Sequence, residues 1–184
     1  MSNSVHRNRT KVARLAGRAS LLTDKAMGLR PAMTTTVKLD DLDLNILRHL
    51  NTDARKSFRD LAREVKASIS TVSNRIHRLE AEGVITGYAP LIDEAKTGFD
   101  IMAVVGVEIH KGKLLEVQRR IAKDDRVTHV YDVTGEWDSI VVVRLRNTRE
   151  LDAFIKRLGS MEYVENTYTQ VVLNVVKEER RVLL

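Results

Sequence analysis

Ser68-Ile69-Ser70-Thr71-Val72-Ser73-Asn74-Arg75-Ile76-His77-Arg78-Leu79 is the stretch on which the fold of this chain turns. Ser68 has the form of a helix N-cap. At about 100° per residue, Ile69, Ile76 and Leu79 fall within about 60° of Val72 and predict one buried stripe. Ser70, Asn74, His77 and Ala81 fall on the opposite side, with Thr71, Ser73 and Arg78 at its flanks. An ordinary solvated helix carries Glu/Lys pairs, whereas this one has no acid from Ser68 to Leu79. It also opens on Ser rather than Asp or Glu, which leaves its positive end to a phosphate. Short hydrogen-bonding side chains edged by cations suit a helix that enters a major groove. Asn74 is shaped for adenine, and Arg75 or Arg78 for guanine or phosphate. The expected DNA-contacting residues are Ser68, Ser70, Thr71, Ser73, Asn74, Arg75, His77 and Arg78.

The flanking sequence completes a helix-turn-helix. Ser57 caps a helix whose Phe58, Leu61, Ala62 and Val65 recur at i, i+3, i+4 and i+7. Lys66 and Ala67 form the turn into the third helix. Asp40 caps the first helix, with Leu39 and Leu44 spaced as a hydrophobic staple and Ile46, Leu47 and Leu50 as its apolar face. Gly83 is the C′ stop of the third helix, and Val84 to Tyr88 reads as a short strand, the wing. Residues 38–88 are thus expected to be a winged helix-turn-helix domain. From Arg55 to Arg78 there are seven Lys/Arg against Asp60 and Glu64, the local basic stretch that phosphate contact requires.

Residues 99–177 change period. Ile101 to Ile109 is β-rich, Leu114 to Ile121 helical, and Val127 to Val133 a strand. Gly135-Glu136-Trp137-Asp138 turns into a strand from Ile140 to Leu145. Thr148 caps a helix bearing Leu151, Phe154, Ile155 and Leu158, which Gly159 ends, and Asn166 to Val176 is the last strand. The order β-α-β-β-α-β is the ferredoxin-like arrangement, so the chain is α+β. An antiparallel sheet with helices on one face leaves the other bare, most simply covered by a second copy of the chain. Residues 89–98 are the linker and 178–184 a charged tail.

Charge is unevenly spread: residues 1–33 carry seven Lys/Arg and one acid, while 91–184 carry fifteen basic and sixteen acidic residues. Residues 1–37 are expected to be a disordered basic extension. It reads as a DNA-binding arm, as an upstream start-codon artefact before Met33, or as a transit peptide. The absence of cysteine excludes disulfides and thiolate chemistry. No apolar run approaches the roughly 20 residues of a membrane span. No glycine-rich phosphate loop is present, and His6, His49, His77, His110 and His129 lack metal-ligand spacing. His110 and His129 are placed as possible neighbours. No catalytic residue, metal site or cofactor is expected.

The run from Leu39 through Leu50, the segment Ala54 to Ala62, the segment Ser70 to Ile85 and the turn Thr134-Gly135-Glu136-Trp137-Asp138 together resemble the Lrp/AsnC family, the feast/famine regulators. The resemblance covers residues 38 to about 177. It implies dimers built on the ferredoxin-like domains, often assembled into octamers, and palindromic or repeated operators in double-stranded DNA. It also implies an amino-acid effector bound between subunits near Thr134, Gly135, Glu136, Trp137 and Asp138. A transcription regulator, cytoplasmic and nucleoid-associated, is the reading that follows. Two alternatives use the same layout: an abundant, weakly specific DNA organiser, and an enzyme akin to the sirohaem decarboxylases.

Overall fold

Asp40 starts the first helix as a capping box: the Asp43 N–H donates to Asp40 Oδ1 at 2.9 Å, and the Asp40 N–H donates to Asp43 Oδ2 at 3.1 Å. In the computed structural model, which describes residues 36–181, this helix is α1, Asp41–Thr52. Ser57 caps α2, Phe58–Glu64, and Ser68 caps α3, Ile69–Ala81, each accepting from the backbone N–H three residues on. Lys66, with φ +55°, makes the turn between them. Gly83, at φ +72°, ends α3. Ile46, Leu61, Ala62, Val72 and Ile76 form the core of the three helices, with Leu42, Leu50, Val65 and Ile85 against it. Burying each Ile, Leu or Val contributes about 1.5–3 kcal/mol, so Val72, Ile76 and Leu79 fix which face of α3 turns inward.

Two expectations for this unit are corrected. Ile69 is 48% exposed, because it is the first helical residue and stands a turn beyond Val72, the first residue of α3 in the core. No strand forms at 84–88, because this segment has no partner strand to pair with. The chain divides into two units, the described part of the first comprising residues 36–90 and 177–181 and the second Leu91–Val176.

The second unit is a four-stranded sheet with two helices. Its elements are β1 (Ile101–Ile109), α4 (Leu114–Ile121), β2 (Val127–Asp132), β3 (Ser139–Leu145), α5 (Thr148–Gly159) and β4 (Val164–Val171). The strands lie in the order β2-β3-β1-β4 and all pair antiparallel, the ferredoxin-like topology. Ala103, Val105, Val107 and Ile109 of β1 and Val141, Val143 and Leu145 of β3 point to one face, where Val117, Ile121, Phe154 and Leu158 of the helices bury them. Alternation then sends Val104, Gly106, Ile140 and Val142 to the other face. One row across that face reads Tyr168, Gly106, Ile140, Tyr131, from β4 through β1 and β3 to β2.

The boundaries shift from expectation where partners begin or end. The cap of α5 is Asn147, whose side chain accepts from the Glu150 N–H, and Thr148 is its first residue. β4 ends at Val171, opposite Ala103, rather than continuing to Val176; the Val172 N–H still donates to the Met102 carbonyl at 2.9 Å, and past the residue facing Ile101 β1 offers nothing to pair with. Between Glu108 and Ile109 the β1–β4 register shifts: Glu108 faces Asn166 and Ile109 faces Val164, leaving Glu165 bulged out of the ladder. The expectation of a disordered extension at residues 1–37 lies, up to residue 35, outside the described residues.

Candidate DNA-reading face and effector cleft

Along α3 the exposed residues are Ile69, Ser70, Asn74, His77, Glu80 and Ala81, with Ser68 exposed at its cap and Thr71 and Ser73 half-buried. The Ser68 hydroxyl lies 2.9 Å from Ser70 Oγ and 2.7 Å from Thr71 Oγ1, a small hydroxyl cluster at the helix start. His77 meets the ring of Phe58 edge-on, at 6.2 Å between centroids, which joins α2 to this face.

Arg75 and Arg78 stand elsewhere than the sequence placed them. Arg75 Nη1 pairs with Asp40 and, at 3.1 Å, with Asp43 Oδ1; Arg78 Nη2 pairs with Asp43 Oδ2. Asp43 is fully buried, so its charge is held by these two guanidiniums and by the Asp40 N–H. Asp40 has its carboxyl held below the ordinary carboxylate value, first by the Asp43 N–H and then by Arg75. Both arginines therefore tie α3 to α1 instead of flanking its open face. In this structure both guanidiniums are engaged by carboxylates, so contact of either with guanine or phosphate requires exchange of these ion pairs.

The turn from β2 to β3 has the exposed Thr134 and Gly135 at its tip, with Gly135 at φ +125°. The Asp138 N–H donates to the Val107 carbonyl at 3.1 Å, and Asp138 Oδ2 accepts from the Ile109 N–H at 2.7 Å. The Ile109 N–H is thus bound on the β3 side, while the register shift between Glu108 and Ile109 lies in the pairing with β4. Beside the turn is an open cleft of about 470 Å³, lined by Glu108, Ile109, His110, Lys111, Glu136, Asp138 and Glu165. Of the five turn residues expected at an effector site, it takes in Glu136 and Asp138; Thr134 and Gly135 stay at the tip, and Trp137 lies against the sheet. Glu165, delivered by the bulge, accepts from His110 at 2.8 Å. His129 stacks on Tyr131, so the two histidines have separate partners.

Sequence reasoning missed Glu108, Lys111 and Glu165 as cleft residues. Their only signal is the strand register, which a single sequence does not print. Among the described residues no three or more His, Cys, Asp or Glu side chains are grouped to hold a metal. No helix of the described residues is long and apolar enough to cross a membrane.

Comparison with known proteins decides the family. Residues 39–80 match the AsnC-type helix-turn-helix domain and residues 102–182 the Lrp/AsnC ligand binding domain. An HTH-type transcriptional regulator of Pyrococcus horikoshii is 42% identical over 145 residues, spanning 79% of this chain and 98% of its own. This chain belongs to the Lrp/AsnC family. As a Lrp/AsnC protein it is a DNA-binding transcription regulator, and the helix-turn-helix and ferredoxin-like units are that family's fold. The regulator Ptr1 of Methanocaldococcus jannaschii is 35% identical over 141 residues, covering 76% of this chain and 95% of its own. Among solved Lrp/AsnC-type structures, Bacillus subtilis LrpC is similar with a TM-score of 0.70 at 26% identity, over 78% of this chain and all of that one. The Mycobacterium tuberculosis feast or famine regulatory protein, solved with L-methionine, is similar with a TM-score of 0.70 at 28% identity, over 79% and 99%.

Proposed function

We propose that this regulator binds double-stranded DNA as a homo-oligomer and is modulated by an amino acid in the cleft beside the 134–138 turn. The observation that carries the effector reading is the charge of that cleft. Glu108, Glu136, Asp138 and Glu165 stand against Lys111 and His110, so a ligand with an ammonium and a carboxylate meets both signs. Its volume of about 470 Å³ lies within the roughly 300–1,000 Å³ of small-molecule sites. A relative of the same fold holds L-methionine. DNA contact is assigned to Ser68, Ser70, Thr71, Ser73, Asn74 and His77, with Asn74 as the base reader and Arg75 and Arg78 supporting the helix from behind.

Pairing of copies is assigned to the bare sheet face. Tyr131 and Tyr168 are exposed there, and a twofold copy covers such a face with itself. Two recognition helices at fixed separation then suit a pseudo-palindromic site. The protein is read as cytoplasmic and nucleoid-associated, acting as a regulator and not as an enzyme.

Footprinting purified protein on fragmented genomic DNA, with and without a mixture of amino acids at moderate salt, tests this reading. Sharp palindrome-like sites that move or vanish with the mixture are expected. Broad occupancy indifferent to amino acids would point to the DNA organiser and reduce the turn to a structural hairpin.

A further inference from the structure

Strand β1 carries a glycine among valines, Val104-Val105-Gly106-Val107. A glycine inside a strand weakens it, unless another group approaches the backbone closely. Gly106 is not among the residues with left-handed backbone, so conformation does not require it. Space does. A Cβ at 106 would stand 2.6 Å from Cδ2, 2.8 Å from Cγ and 2.9 Å from Cε2 of Trp137. The indole thus rests on the backbone of the sheet. Its ring is nearly parallel to that of Tyr168, at 13° and 5.6 Å between centroids, and Tyr168 is the direct β4 partner of Gly106.

Three points on one strand, at 106, 107 and 109, hold residues 137 and 138. The first is the seat of the indole, the second the Val107 carbonyl and the third the Ile109 N–H. Glu136, by contrast, has no hydrogen bond or ion pair of its own among the described residues, and Gly135 before it adds no side chain. Where Glu136 stands in the cleft is set by its neighbour Trp137. Neither Gly106 nor Tyr168 lines the cleft.

We infer that Gly106 and Tyr168 are positioning residues for effector binding: they seat Trp137 and thereby place Glu136 and Asp138. This rests on the effector reading above. A small residue at 106 and a planar one at 168 act together, one admitting the indole and the other stacking on it.

Trp137 is the only tryptophan in the chain, so its emission reports on the seat directly. The full-length protein is compared with Gly106→Ala, Tyr168→Ala and Tyr168→Phe. Without amino acids, acrylamide quenching is expected to rise in Gly106→Ala and Tyr168→Ala and to stay at the wild-type level in Tyr168→Phe. L-Methionine, then an equimolar mixture of the non-aromatic amino acids, is titrated while binding to the strongest footprinted site is followed. The half-maximal concentration is expected to rise about tenfold in the two disruptive variants, the upper range for one stacked aromatic pair. Each half-maximal concentration is read against that variant's own DNA affinity without amino acids, since Tyr168 also stands on the face assigned to pairing of copies. Unaltered quenching in both variants, or a freed indole with a wild-type amino-acid response, overturns the positioning role and leaves the effector reading standing. A wild-type protein indifferent to every amino acid overturns both. If Gly106→Ala does not fold, the contrast between Tyr168→Ala and Tyr168→Phe carries the same decision.

Discussion

Asp40 has two tasks, and its spacing in the sequence discloses one. Its carboxylate caps α1, which the pattern Asp40 before an apolar stripe made legible. The same carboxylate pairs with Arg75, thirty-five positions away, and no local rule links residues so far apart. Both partners favour its ionised form, so its acidity is raised in the folded state. The sign follows. A carboxyl whose pKa is depressed on folding contributes stability above its unfolded value, near 3.8, and loses it as the pH falls. Asp60 adds to the same acid limb, held down chiefly by the Ser57 hydroxyl. Thermal unfolding followed from about pH 5 to about pH 3 is expected to show a shallower fall in Asp40→Asn than in the wild type. An identical acid limb would mean that the Asp40 carboxylate is equally stabilised in the unfolded chain.

At the scale of elements, α3 is positioned from two sides. Its apolar stripe was readable as a 3.6-residue period, and Val72, Ile76 and Leu79 are where that period puts them. The opposite constraint was not readable: Asp43, a polar residue in the first turn of α1, is buried and grips Arg75 and Arg78. Asp43→Ala leaves two guanidiniums without that carboxylate. The expected loss in urea unfolding is about 2–3 kcal/mol, below the roughly 3–5 kcal/mol of a fully buried pair because both arginines reach water. A cost under about 0.5 kcal/mol, the size of an ordinary surface change, would show that the pair does not hold α3. In the second unit the order of elements was fully legible, since period 2 and period 3.6 alternate cleanly. The ends of strands were not, because each depends on how far its neighbour runs: β4 stops opposite Ala103, near the start of β1, and 84–88 stays unpaired. Gly106 was legible only as an oddity, a glycine in a run of valines; its tenant, Trp137, comes from another hairpin.

For the whole molecule, the division of labour is between a helix-turn-helix unit that faces DNA and a unit of the Lrp/AsnC ligand-binding type. Composition placed the DNA-facing unit correctly but overstated its available charge. Of the seven cations from Arg55 to Arg78, Arg75 and Arg78 are neutralised by Asp40 and Asp43, Lys56 by Glu64 and Arg63 by Asp60. Arg55, Arg59 and Lys66 have no ion-pair partner among the described residues. Counterion release from DNA scales with the phosphates neutralised, at about 0.9 per contact in the log–log salt slope. Three free cations per subunit give a slope of about −3, where all seven would give about −6. Salt titration of binding, with a chain beginning at Met33 so that the basic extension does not contribute, is expected to return the smaller figure for each subunit; the larger would mean that DNA strips these pairs apart on binding. The internal ion pairs thus make the helix-turn-helix less sensitive to ionic strength than its composition implies, and leave more of the discrimination between sites to uncharged hydrogen-bonding groups.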